Sequence, residues 1–316
     1  MKRFLLGFAI VLLAACGDDE SSFAPRDDEP MSSSWSSEGT IGSSSSVKSS
    51  SSVASSSSVK SSSSAKSSSS AKSSSSVSSS SEYVPFDHSK TLGWQKLDGG
   101  YKTFTDSRNG RSYYYITITG RDTADNVASV TVMAENLNVG VDVPGDQDQN
   151  DDTEIERYCY NNDTTNCDRY GGLYQWAEMM QLPSECNTKS CADQIKPNHQ
   201  GICPDGWRLL TYDDFFIILH SDANESGIKG LRSTFGFGGN NESGYSLVGA
   251  GYNWNYTFLS LTEGTYWFYP EESDENPKKG VGSYTYDSAT TVERKGFYLK
   301  KHGFSVRCVM VENQAE

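Results

Sequence analysis

Carboxylates and an amide at alternating positions, Asp146, Asp148 and Asn150, followed by Asp152 and Glu154, give the oxygen-ligand spacing that calcium loops use. The segment is not an EF-hand, because Asp151 stands where that loop needs glycine and Arg157 where it needs a bidentate glutamate. Read without a metal, the same residues are a solvated acidic loop. A second group is aromatic. Tyr245, Tyr252, Trp254, Tyr256, Tyr266, Trp267 and Tyr269 fall in one glycine-rich stretch, and flat rings of this kind stack on the apolar faces of sugars. Most of them are expected to fill the core of a strand-rich domain. Asn253 and Asn255 mark the intervening Trp254 and the adjoining Tyr256 as turned outward. Trp254, Tyr256 and Trp267 are the candidate ligand-contacting rings.

Catalytic motifs are scarce. No H-E-x-x-H, G-x-S-x-G or Walker loop occurs, and His88, His199, His220 and His302 are not paired at metal-ligand spacing. Gly236-Phe237-Gly238-Gly239 lacks the flanking strand and helix of a phosphate loop and reads as a surface loop. A glycosidase pair needs two carboxyl groups about 5 to 10 Å apart across a cleft, and nothing in the spacing nominates one. The chain therefore reads as a non-enzyme. Its formal charge of −14, with the excess acid in residues 82–316, repels phosphate backbones and argues against nucleic acid as a partner.

Of seven cysteines, Cys16 stands apart, leaving Cys159, Cys167, Cys186, Cys191, Cys203 and Cys308. An even set in an exported chain reads as disulfides, and the absence of C-x-x-C or C-x-x-H pairs argues against zinc. Many pairings are open. Near neighbours suggest Cys159 with Cys167 and Cys186 with Cys191, which leaves Cys203 with Cys308.

The export assignment comes from the N-terminus. Met1-Lys2-Arg3 is a positive n-region, Phe4 to Ala15 is apolar, and the run is too short for the roughly 20 residues that span a bilayer. Leu13-Ala14-Ala15-Cys16 resembles the lipobox of bacterial lipoproteins. The resemblance implies cleavage after residue 15, acylation of Cys16 and a membrane partner held through lipid. Gly17-Asp18-Asp19-Glu20 resembles a signal for the outer face of the outer membrane, and reads equally as a charged linker. Residues 16–42 form an acidic linker. Residues 43–81 repeat a Ser-Ser-Ser-Ser-Val-Lys unit, with 28 serines in 39 positions, and offer almost no apolar surface to offset the entropy of ordering. They read as a disordered tether with a reach of roughly 35 Å.

Residues 82–316 have the composition of one folded domain. Arg111 to Thr119 and Ala128 to Met133 are β-branched and aromatic and read as strands, and Asp106 to Gly110 reads as the turn that opens a hairpin. Helices are expected from Gly172 to Met180, which puts Leu173, Trp176, Ala177 and Met180 on one face, and from Thr211 to His220, where Thr211 and Asp214 make a capping box. The class is α+β: a single domain of many short antiparallel strands and about two helices, with three disulfides, behind a disordered tether.

Several blocks resemble a known family. Phe104-Thr105-Asp106-Ser107-Arg108-Asn109-Gly110, Met133-Ala134-Glu135-Asn136-Leu137-Asn138, Tyr158 to Asp163, Gly171 to Trp176, Gly201 to Leu209 and Gly303 to Val309 are similar, in order, to the Fibrobacter succinogenes major paralogous domain, with a core of about 104–311. That family resembles the C-type-lectin-like and formylglycine-generating-enzyme-like folds. The resemblance implies a C-type-lectin-like fold in which Cys203 and Cys308 staple the two ends of the core. It carries no assigned activity. The reading that follows is a lipid-anchored envelope protein with a non-catalytic recognition domain for polysaccharide, glycoconjugate or an envelope protein. The alternatives are a structural envelope protein and an extracellular polysaccharide-acting enzyme.

Overall fold

β-Branched residues alternating with small polar ones build the first sheet. The structure, a computed structural model, describes residues 83–93 and 100–311. The leader (1–15), Cys16, the linker (16–42) and the tether (43–81) lie outside the described residues.

Strands β1 (Lys102–Thr105), β2 (Ser112–Arg121) and β3 (Val127–Met133) form an antiparallel meander, with the expected turn at 106–110 between the first two. Ile116, Ile118, Val130 and Val132 face inward, while Thr117 and Thr119 pair outward with Thr131 and Ser129 through hydroxyl contacts of 2.8 Å. Next come β4 (Val141–Asp142), β5 (Glu156–Arg157), α1 (Thr164–Tyr170), β6 (Leu173–Tyr174), α2 (Trp176–Met180), β7 (Trp207–Leu209), α3 (Tyr212–Leu219) and α4 (Ile228–Leu231). The chain closes with β8 (Ala250–Trp254), β9 (Thr257–Leu261), β10 (Gly264–Glu272), β11 (Lys279–Tyr286), β12 (Glu293–Leu299), β13 (Phe304–Ser305) and β14 (Cys308–Met310). The first sheet runs β1-β2-β3-β14-β7. The second runs β12-β11-β10-β13-β6, with the β8–β9 hairpin joined to β10. Most pairings are antiparallel as expected, but β10 pairs in parallel with both β8 and β13, and β4 with β5.

Helix α3 forms as its capping box predicts: Asp214 N–H donates to Thr211 Oγ1 at 3.2 Å, and Asp214 Oδ2 accepts from Thr211 N–H at 2.8 Å. Its buried Phe215 and Ile218 lie against the first sheet. The helix expected over Gly172 to Met180 is instead two elements. Leu173 and Tyr174 pair with β13, and the helix begins only at Trp176. Tertiary pairing overrides the helical spacing there. Among the described residues four α-helices stand where about two were expected, the additions being the short α1 and α4.

All three disulfides join the pairs suggested by proximity: Cys159–Cys167, Cys186–Cys191 and Cys203–Cys308. The last ties the segment leading into β7 to β14, the strand that pairs with β7. The folded unit also reaches further N-terminally than position 104. Residues 83–92 form a strap in which Asp168 accepts from Tyr83 Oη at 2.5 Å and from Phe86 N–H at 2.7 Å. Nδ1 of His88 meets Glu135 at 2.8 Å, and Leu92 is fully buried. Ser233 and Ser246 both donate to the Thr91 carbonyl at 2.6 Å.

Candidate functional site: an aromatic platform with a charged rim

On one face of the second sheet, β10 and β11 place Tyr266 directly opposite Tyr284, and the two rings stack with centroids 4.7 Å apart. Tyr286 and Tyr298 lie to either side over glycines. A Cβ on Gly264 would come within 2.7 Å of the Tyr286 ring, and one on Gly282 within 3.1 Å of the Tyr298 ring. Side chains at those two positions would lift the rings off the sheet. Trp254, at the end of β8, meets Tyr298 edge to face at 6.2 Å. One end of this face is sealed into the core by Phe268 and Phe304; the other leaves Trp254, Tyr284, Tyr286 and Tyr298 half-buried and Leu259 exposed.

The phenols carry no charge. Burial pushes the Tyr266, Tyr284 and Tyr298 hydroxyls up, and neighbouring tyrosines or Glu293 push in the same direction. Tyr252 Oη and Tyr266 Oη each lie near Tyr286 Oη, at 3.0 and 3.4 Å. The result is a neutral, partly apolar surface with hydroxyls at one margin, on a chain that is otherwise strongly acidic.

A polar rim adjoins Trp254. The two-residue turn Asn255-Tyr256 joins β8 to β9 with both residues left-handed, φ 47° and 64°. It brings Tyr256 Oη to Asp148 Oδ1 at 2.9 Å. Asp148 also accepts from Lys301 Nζ at 2.6 Å and from Gln175 Nε2 at 3.0 Å. Burial would raise the Asp148 carboxyl, but these bonds outweigh it and hold it below its ordinary range. Beneath Trp254 the imidazole of His302, 1 % exposed, is pushed down to about 3, first by burial and then by the charge of Lys279.

Of the three expected rings, Trp254 and Tyr256 reach this site and Trp267 does not. Trp267 is 4 % exposed, packs on Phe215 at 5.0 Å and donates from Nε1 to Tyr269 Oη at 3.0 Å, so it is core. It points to the opposite face of β10 from Tyr266 because side chains alternate along a strand. The fold does not gather the residues of the calcium expectation on one point. Asp148 is turned to Lys301, Asp152 accepts from Ser184 N–H at 2.8 Å, and Asp146, Asn150 and Glu154 are exposed. Among the described residues one group of three acidic, thiol or imidazole side chains brings its ligand atoms within 4.8 Å of one another: Asp142, Cys159 and Cys167. Its two sulfurs form a disulfide.

Tyr284, Tyr286, Tyr298, Gln175, Lys301 and His302 were absent from the expected site. A period-two signal for the platform does exist in Gly280-x-Gly282-x-Tyr284-x-Tyr286 and Gly296-x-Tyr298.

The repeated blocks serve a different purpose. Arg307 of the C-terminal block is buried, donates from Nε to Asn136 Oδ1 at 2.8 Å and from Nη2 to the Ser246 carbonyl at 2.8 Å, and stands over the Tyr245 ring at 4.4 Å. Phe104 stacks on Trp207 at 4.5 Å. The family model described as Fibrobacter succinogenes major domain matches residues 126–310, more than half of the chain. The chain belongs to that family. The matched range contains the platform and its rim, whereas β1, β2 and the strap precede it. No curated protein and no solved structure matches the chain. In this member of the Fibrobacter succinogenes major domain family, the blocks that carry the likeness build the core, and the platform lies outside most of them.

Proposed function

We propose that the chain is a lipid-anchored cell-envelope protein whose folded domain is a non-catalytic recognition module for a glycan, C-type-lectin-like in kind. The half-exposed ring cluster of Trp254, Tyr284, Tyr286 and Tyr298 carries this reading, since such rings offer apolar faces to sugar C–H groups and no charge. Lipid on Cys16 and a serine tether would hold the module near the envelope and raise its effective concentration against a surface polymer. Among the described residues no helix is long and apolar enough to cross a membrane.

Affinity electrophoresis of the full chain in detergent, through gels holding plant and envelope polysaccharides, tests the reading. The expected result is retardation by a polysaccharide, lost in Trp254→Ala and Tyr298→Ala chains that keep the parent melting temperature. Chelator should leave it unchanged, because the Asp148 carboxylate is held by Lys301. An unretarded parent chain across the panel would transfer the assignment to a structural envelope role.

One observation favours a second reading, an enzyme acting on extracellular polymer. Glu178 is 8 % exposed and lines a cleft of about 340 Å³ with Asp151, Asp152 and Glu154. Burial, followed by the charges of Glu156 and Asp152, pushes its carboxyl up to about 7. A carboxyl that titrates near neutral pH suits general-acid work. Release of reducing sugar by the parent chain and its loss in Glu178→Gln would establish that reading.

A further inference from the structure

We infer that Tyr256, backed by Asp148 and Lys301, selects the ligand by hydrogen-bonding hydroxyl groups of an uncharged glycan whose sugar ring rests against Trp254; this rests on the glycan-binding reading of the platform.

The first observation is backbone strain that packing of the ring does not offset. A two-residue hairpin turn with both residues left-handed favours Asn at the first position and Gly at the second. Asn255 fits. Tyr256, at φ 64°, occupies the glycine position. An L-residue with a large side chain there costs about 1 to 2 kcal/mol. Of the non-glycine residues at positive φ among the described residues, Tyr256 is the sole aromatic; the others are Asn, Asp, Gln, Ser and Thr. The ring is 41 % exposed, so burial offsets little of that strain.

The second is what the ring carries. Tyr256, two residues along the chain from Trp254, carries its Oη to Asp148. Asp148 and Lys301 are partly exposed, at 29 % and 38 % of their side chains. Phenol, carboxylate and ammonium together present both donors and acceptors, which is what a run of hydroxyl groups needs. The third is charge. Asp148 and Lys301 neutralise each other, so this pair offers no net charge to a uronic acid or sulfate, and the acidic chain repels such polymers at long range. An uncharged polymer meets no such barrier.

The test uses the full chain in affinity gels holding hydroxyethylcellulose or galactomannan, both uncharged, or polygalacturonate, which is anionic, together with melting curves. The parent should be retarded by an uncharged polymer and pass polygalacturonate freely. Tyr256→Phe, which keeps the ring and loses the hydroxyl, should bind on the order of tenfold more weakly. Tyr256→Gly should lose retention while melting several degrees higher than the parent. If both variants bind like the parent while Trp254→Ala does not, the platform reading stands and this inference fails. A Tyr256→Gly chain that melts lower makes the ring structural and also overturns it. Retardation by polygalacturonate overturns the uncharged class, and a parent chain retained by no polymer overturns both readings together.

Discussion

Trp254 lies on His302 with ring centroids 3.9 Å apart and planes 18° from parallel, so a half-buried ring of the platform rests on a buried imidazole. Nδ1 of His302 accepts the Asn255 N–H at 3.3 Å, which ties the same imidazole to the turn that carries Tyr256. The seat of the platform therefore depends on His302 remaining neutral.

That dependence sets a pH response. In the unfolded chain His302 takes a proton near 6.5, whereas in the fold burial holds it to about 3. The unfolded state therefore binds the extra proton between those values, and stability falls as pH drops from 6.5 towards 3, by up to about 1.4 kcal/mol per unit. Denaturant titrations of the parent and of His302→Asn across this window should differ by that slope, the parent losing stability relative to the variant as pH falls. Identical slopes would mean that His302 is not buried neutral.

Glu178 works in the opposite sense. Its carboxyl, raised from 4.5 to about 7, is protonated in the fold and ionised in the unfolded chain over that window, so its contribution is complete below 4.5 and is lost as pH rises to 7. The His302 and Glu178 slopes then cancel between about 4.5 and 6.5. Parent stability should be nearly flat there, and Glu178→Gln should uncover the His302 slope and gain stability relative to the parent at pH 8. A variant whose pH curve runs parallel to the parent's would remove the buried carboxyl from the account.

Disulfide loss should be unequal. Cys203–Cys308 closes a separation of 105 residues and Cys186–Cys191 one of 5. Chain entropy assigns about 5 kcal/mol to the first and about 2 to the second. Paired alanine replacements, compared by urea midpoint, should reproduce that order; equal losses would mean that local packing, and not the unfolded chain, sets both.

The strap should prove integral to the fold although the family match begins beyond it. Leu92→Ala removes a fully buried side chain and should cost about 2 to 5 kcal/mol in one cooperative transition. A separate early transition, with proteolysis confined to the residues before Lys102, would make the strap a peelable attachment.

Much of the fold is legible wherever the signal is local. The β-branched runs of β2 and β3, the Thr211–Asp214 capping box and the short-range cysteine pairs can all be read within a few residues. Helix α1 shows only Asp163 as its N-cap over a seven-residue span, too little for a periodic pattern. The site is harder because it is assembled by register. In Tyr266-Trp267-Phe268-Tyr269 aromatics occupy both faces of one strand, so composition cannot tell platform from core, and Trp267 falls inside. Tyr298 joins the site only through the pairing of β12 with β11, and Lys301 only through its ion pair with Asp148, 153 positions away. In the acidic loop, alternating carboxylates are the same whether they face an ion or a lysine.

The position of β14 bears on timing. The last strand lies between β3 and β7, in the interior of the first sheet, and its Cys308 closes the long staple. A chain emerging N-terminus first leaves the edges of β3 and β7 open until β14 arrives, since neither can pair with a neighbour not yet made. Completion of the domain thus waits on the emergence of β14, and a product truncated just short of Cys308 would lack both the middle of a sheet and a partner for Cys203. Strand β14 acts as a check on the domain: a chain that stops before it keeps an unpaired Cys203 thiol and two open strand edges, features that favour aggregation.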